Sequence, residues 1–68
     1  MGQDLKYINK SLEKSFKILE ILSKSIFPLK ASNISRKATL SRTTTFRLLS
    51  VLSDLGYIHK NLSSNTYT

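Results

Sequence analysis

Apolar residues recur along the first third of the chain with a helical period. In residues 10–25, KSLEKSFKILEILSKS, Leu12, Phe16, Leu19 and Leu22 fall three or four apart, with Lys10, Glu13, Lys14, Lys17 and Lys24 largely elsewhere. That spacing predicts an amphipathic helix. Glu13 and Lys17 stand in the favourable i,i+4 order for an ion pair. Ile18 and Ile21 widen the apolar stripe, and Leu5 and Ile8 extend it if the helix starts earlier. The stripe reads equally as one broad core face or as a core face plus a seat for a partner helix. Pro28, in Ile26-Phe27-Pro28-Leu29, ends the helix, because proline lacks the amide donor and pushes Phe27 out of helical geometry. Leu29-Lys30 then reads as extended, a very short strand.

A second, shorter pattern follows. Ser32 reads as the N-cap of SNISRKA, with Ile34 and Ala38 four apart as inward anchors. Ala38-Thr39-Leu40 breaks it, Ser41 caps a third helix, and that helix runs to Leu55. Gly56 stands where a left-handed C-cap belongs. Connections this short force the second and third helices into steep contact. The period then changes to two in Tyr57-Ile58-His59-Lys60. A turn-rich Asn61–Asn65 and a β-type Thr66-Tyr67-Thr68 complete a hairpin whose second strand is cut off by the end of the chain. The expected fold is therefore mainly α with a small β-hairpin. Residues 1–9 read as a lead-in that can extend the first helix, and residues 10–68 as one domain. The expected core is Phe16, Leu19, Leu22, Ile34, Leu48, Leu49, Leu52, Tyr57 and Ile58.

Composition narrows the chemistry. A chain of 68 residues buries only about 60% of its unfolded surface, which leaves no room for a cleft between domains. There is no cysteine, a single histidine (His59) and only four scattered acidic residues, so neither a metal cage nor any cofactor is expected. No pair of titratable groups is placed for acid–base work, and catalysis is not expected. The apolar runs are far too short for a membrane span, and no secretory signal opens the chain. A reducing cytoplasm is the expected setting. Eleven Lys or Arg against four Asp or Glu give a net charge of +7. Between Glu20 and Asp54 there is no acidic residue, while Lys24, Lys30, Arg36, Lys37, Arg42 and Arg47 all lie there. Such a stretch implies a polyanionic partner or a solvated basic surface.

Within it, residues 40–49 read LSRTTTFRLL. Three β-branched residues in succession are poor helix formers. Placed on a helix, Leu48, Leu52 and Leu55 share one face with Leu49, extended by Thr44 or Thr45. Arg42, Thr43, Phe46, Arg47 and Ser50 fall mostly opposite. Guanidinium groups and short hydroxyls suit a helix lying in a DNA major groove: arginine reaches guanine or phosphate, and threonine reaches phosphate or a thymine methyl. Short side chains in the first turns allow close approach, and the first-turn N–H groups favour phosphate. The plainer reading is auxiliary capping beside solvated arginines.

Taken in order, Ser11-Leu12-Glu13-Lys14-Ser15, then Thr43-Thr44-Thr45-Phe46-Arg47-Leu48-Leu49-Ser50-Val51-Leu52, then Leu55-Gly56-Tyr57-Ile58 resemble the N-terminal domain of the IclR (isocitrate lyase regulator) family of bacterial and archaeal transcription regulators. The resemblance covers residues 11–68. It implies a winged helix-turn-helix, and a homodimer on a roughly palindromic operator in double-stranded DNA. It also implies a larger effector-binding domain that is absent from this chain. Thr39 stands where such proteins usually carry a glycine, so the turn either differs or is strained. Ser35 replaces a common alanine, and its hydroxyl needs a partner. Ser41 replaces a frequent proline, a benign exchange at a helix start.

The expected function is sequence-specific binding of double-stranded DNA with residues 41–55 in the major groove. Arg42, Thr43, Thr44 and Arg47 are expected at the groove. Ser32 and Ser41 are expected on phosphates, and Lys30, Arg36 and Lys37 in general backbone attraction. His59, Lys60 and Asn61 are placed to reach the adjacent backbone or minor groove, though His59 reads equally as a plain exposed residue. Dimerisation rests on the stripe Leu5, Ile8, Leu12, Ile18, Ile21 and Leu22. The rivals are a protein-interaction module, a nonspecific nucleic-acid binder, and a basic amphipathic helix on a membrane, the last opposed by Glu13 and Glu20.

Overall fold

The structure is a computed structural model that describes the backbone of residues 2–68 and the side chains of residues 10–68. The side chains of Leu5 and Ile8 therefore lie outside the described residues. In chain order come α1 (Gly2–Lys24), α2 (Ala31–Ala38), α3 (Arg42–Asp54), β1 (Lys60–Asn61) and β2 (Thr66–Tyr67). The strands form one antiparallel hairpin, with Lys60 opposite Tyr67 and Asn61 opposite Thr66. The mainly helical class with a small hairpin is as expected from the chain.

Helix α1 ends four residues before Pro28 and is followed by a bend in which the Ser25 hydroxyl donates to the Phe27 carbonyl (2.6 Å). Leu29 is extended, as expected, but its partner is distant in sequence. Its N–H donates to the Tyr67 carbonyl (3.0 Å), and the Tyr67 N–H donates back (2.7 Å). This bridge ties the start of α2 to the hairpin. It also moves the cap. The N-cap of α2 is Lys30, extended and without a side-chain capping bond, not Ser32. Holding Leu29 in the bridge lets Ala31 begin the helix and be buried, so Ser32 falls within the first turn.

Both short helices end in the same way. At the end of α2 the Thr39 N–H donates to the Arg36 carbonyl (3.2 Å) and the Leu40 N–H to the Ser35 carbonyl (2.9 Å). At the end of α3 the Gly56 N–H donates to Ser53 (3.1 Å) and the Tyr57 N–H to Leu52 (2.9 Å). These paired bonds are the Schellman arrangement, which requires a left-handed residue. Gly56 meets it at φ 86°. Thr39 meets it at φ 56°, ψ 45°, a region that β-branched residues disfavour.

The core lies where the C-terminal half of α1 meets α2, α3 and the hairpin. Ile18, Leu22, Ala31, Ile34, Leu49, Leu52, Ile58 and Tyr67 are buried together, with Leu19, Leu29, Leu40 and Leu48 packed at its edge. Ile18, Ile34 and Leu49 are fully enclosed, each contributing about 1.5–3 kcal/mol by burial. Ser35 is also buried, and its hydroxyl donates to the Ser32 carbonyl (2.9 Å), so the helix itself supplies the partner it needs.

The expected core needs two corrections. Phe16 is 62% exposed, because α2 and α3 are short and cover only the last turns of α1. Tyr57 is 69% exposed, since the reversal at Gly56 turns Ile58 inward instead. Leu55, expected on the leucine face of α3 though not in the core, is exposed as the residue just beyond the helix. Conversely, Ile18, read as part of a partner face, is a core residue, and Leu22, which stood in both the expected core and that face, is core. The expected Glu13–Lys17 pair is not formed. Glu20 and Lys24 pair one turn further along, at 2.9 Å.

Candidate nucleic-acid interface

Ser41 organises the start of α3. Its Oγ accepts from the Thr44 N–H (3.1 Å) and its hydroxyl donates to Thr44 Oγ1 (2.9 Å). Its carbonyl accepts from both the N–H (3.0 Å) and the hydroxyl (2.8 Å) of Thr45. The three threonines thus have three environments. Thr45 is 1% exposed and sits in the core with its hydroxyl satisfied. Thr44 is half-buried and locked to the cap. Thr43 is exposed.

The burial of Thr45, Leu49 and Leu52 sets the roll of the helix. Residues three and four apart lie on one face, so Thr43, Arg47, Ser50 and Asp54 form the opposite stripe, all exposed. Arg42 and Phe46 stand beside it and are also exposed. The hairpin flanks this stripe. A groove between α3 and the hairpin is lined by Phe46, Ser50, Ser53, Asp54, Lys60 and Tyr67. Lys60 is half-buried, with its ammonium 5.8 Å from the centre of the Tyr67 ring, within cation–π range. This convergence of Phe46 and Ser50 with Lys60 had no local sequence signal beyond their i,i+4 spacing, because it needs the packed hairpin.

The other expected residues are dispersed. Ser32 is half-buried in the first turn of α2, and Arg36 and Lys37 are exposed in its last turn. Lys37 faces α1, lining a depression with Ile21, Lys24, Ser25 and Leu29. On the hairpin, His59 is exposed and exchanges both backbone bonds with Thr68 (2.9 and 3.0 Å). Asn61 Oδ1 is occupied inside the turn, accepting from the Ser63 N–H (3.1 Å) and hydroxyl (2.8 Å). That side chain is a turn organiser, which sets Asn61 apart from its neighbour Lys60.

Charge is weakly compensated. Among the described residues the ion pair is Glu20–Lys24, and none of Lys30, Arg36, Lys37, Arg42 or Arg47 lies in one. The hydrogen bond and charge of Lys24 hold the Glu20 carboxyl below its usual range. No cluster able to hold a metal occurs among the described residues, nor is any helix there long and apolar enough to cross a membrane.

Two helices joined by a tight turn, packed on a third and flanked by a hairpin, define a winged helix-turn-helix, a DNA-binding class. Residues 11–62 match the family of IclR helix-turn-helix domains, and the chain belongs to that family. It is a helix-turn-helix DNA-binding domain of a transcription regulator. Comparisons with curated proteins and with solved structures gave no match.

Proposed function

We propose that the chain binds double-stranded DNA with sequence specificity, α3 lying in the major groove. The observation that carries this reading is the outer stripe of α3. It sets Arg47 among the short polar side chains of Thr43 and Ser50, with Arg42 beside it at the helix start and Asp54 at its far end, and has its roll fixed by buried residues on the opposite face. Thr43 and Arg47 stand at its centre and Arg42 at its start. Ser41 and Thr44, already bonded to each other, present the helix N-terminus to a phosphate. Ser32 does the same for α2, whose N-cap side chain makes no capping bond. Arg36 and Lys37 supply backbone attraction, and Lys60 reaches the strand beyond the groove.

The chain acts as a homodimer on a palindromic operator. Leu12 and Phe16, one turn apart on α1 and exposed, are the described part of the surface that would meet a second copy. Sedimentation at high concentration tests this, and a clean monomer would count against an interface within the chain.

The test of DNA binding is a salt titration on a random DNA pool, with sequencing of the retained fraction. Recovery of a palindromic motif, with affinity falling steeply as salt rises, is the expected result. The slope counts phosphates at about −0.9 each. Salt-dependent retention with no enriched motif would instead mean nonspecific attraction. Unchanged DNA binding in a folded Arg42→Ala/Arg47→Ala double variant would refer the outer face to a protein partner.

A further inference from the structure

Phe46 is half exposed on the outer side of α3. It lies four residues after Arg42 and next to Arg47, and it forms one wall of the groove shared with Ser50, Lys60 and Tyr67. The half of this ring left in water, beside a polar stripe, adds nothing to the fold. It gains on binding, if the polyanion offers an apolar feature at the same depth. In the major groove that feature is the C5-methyl of thymine, which side-chain carbon atoms contact directly.

Resting on the DNA reading above, we propose that Phe46 is a specificity-determining residue that packs on a thymine methyl group while Arg42 and Arg47 hold the flanking guanine or phosphate groups. The hairpin wall formed by Lys60 and Tyr67 limits where the ring can turn, so the contact selects a thymine at a fixed offset from the arginine contacts. Thr43 also carries a methyl, but it sits one turn nearer the helix start and would meet a different base pair.

Removing the methyl without altering base pairing tests this. DNA selected by the wild-type chain is amplified with deoxyuridine in place of thymidine, and binding is measured on both forms for the wild type and for Phe46→Ala. The wild type is expected to lose about fourfold in affinity for each methyl covered, the factor that burial of one such group gives. F46A is expected to bind the thymine form more weakly and to show about fourfold less difference between the two forms than the wild type, any remainder belonging to methyls met by other residues such as Thr43. Phe46→Leu, which keeps apolar carbon near the methyl, should recover part of the discrimination and serves if F46A does not fold. Equal uracil losses in wild type and F46A would assign methyl reading to other residues and overturn the proposal. So would no uracil loss in a wild type that still binds its selected motif, and that result would leave the DNA reading standing. Absence of salt-dependent DNA binding altogether would overturn the DNA reading, and the role of Phe46 with it.

Discussion

Replacing Thr39 by glycine should stabilise the domain. Thr39 adopts φ 56°, ψ 45° because the Schellman bonds from its own N–H and that of Leu40 require a left-handed residue there. Its side chain is exposed, so truncation removes little packing. An L-residue in this region costs about 1–2 kcal/mol, and β-branching adds crowding at χ1. Glycine relieves that cost but returns about 0.5–1 kcal/mol through its freer unfolded chain. The net gain should be about 0.5–1 kcal/mol, or about 2–8 °C in Tm for a domain of this size. Urea and thermal unfolding followed by circular dichroism measure it. The expected order of stability is Gly, then Asn, then Ala, then Thr, because asparagine tolerates this conformation better than other non-glycine residues. A Thr39→Gly variant no more stable than wild type, or an alanine variant more stable than the glycine one, would refute the strain argument. DNA affinity should stay within a factor of about two, since the turn geometry is kept.

Other outcomes follow from the start and end of α3. Ser41→Ala should cost about 1 kcal/mol, because it removes the acceptor for the Thr44 N–H and frees the Thr44 hydroxyl; chemical denaturation measures this. Thr45→Val should be within about 1 kcal/mol of wild type and leave DNA binding intact. The Ser41 carbonyl keeps its bond from the residue 45 N–H, so no acceptor is orphaned. Asp54→Asn should raise stability by about 0.3–1 kcal/mol, since a carboxylate in the last turn opposes the helix dipole. On the DNA reading it should also tighten binding. Lys24→Ala should return the Glu20 carboxyl to its usual range in an NMR titration. Because that pKa is depressed in the fold, the pair's contribution is present above the unfolded value and disappears as pH falls through the folded one.

Local signals carried most of the fold. Ser41 as a cap, Gly56 as a left-handed stop and Ile34 with Ala38 as anchors depend on neighbours within a turn or two, and each stands as expected. What escaped depends on distant contacts. The cap of α2 shifted from Ser32 to Lys30 because Leu29 is held by Tyr67, which no short window reveals. Phe16 and Leu12 fit the apolar period of α1 perfectly well, yet among the described residues neither is covered, because α2 and α3 end too soon. Tyr67 looked like a residue of the hairpin alone and proved to close the core. In the candidate interface, the residues on α3 were legible from helical spacing, whereas the pairing of Phe46 and Ser50 with Lys60 depends on how the hairpin packs.

The run of threonines is best understood through rotation of the helix about its own axis. A basic helix can read a groove only if the same side chains always face it. Leucines alone set that roll poorly near the start of α3, where Arg42, Thr43 and Thr44 precede the first buried leucine, Leu49, and the half-buried Leu48. Thr45 supplies an anchor one turn earlier. Its small branched side chain fits the core, and its hydroxyl grips the Ser41 carbonyl, so the first turn has a defined azimuth as well as a cap. Thr44 adds a second tie to Ser41 from the adjoining side. Thr43 is then exposed by geometry and remains available to a ligand. The helix propensity given up, a few tenths of a kcal/mol per threonine, is offset by side-chain bonds within the first turn itself. On this account Thr45→Leu is the revealing substitution. It has the higher helix propensity but overfills a closed site and cannot bond to Ser41, so it should lose stability by about 1–3 kcal/mol. If it instead stabilised the domain, the threonine would be no anchor, and the roll of α3 would have to be set by Leu49 and Leu52 alone.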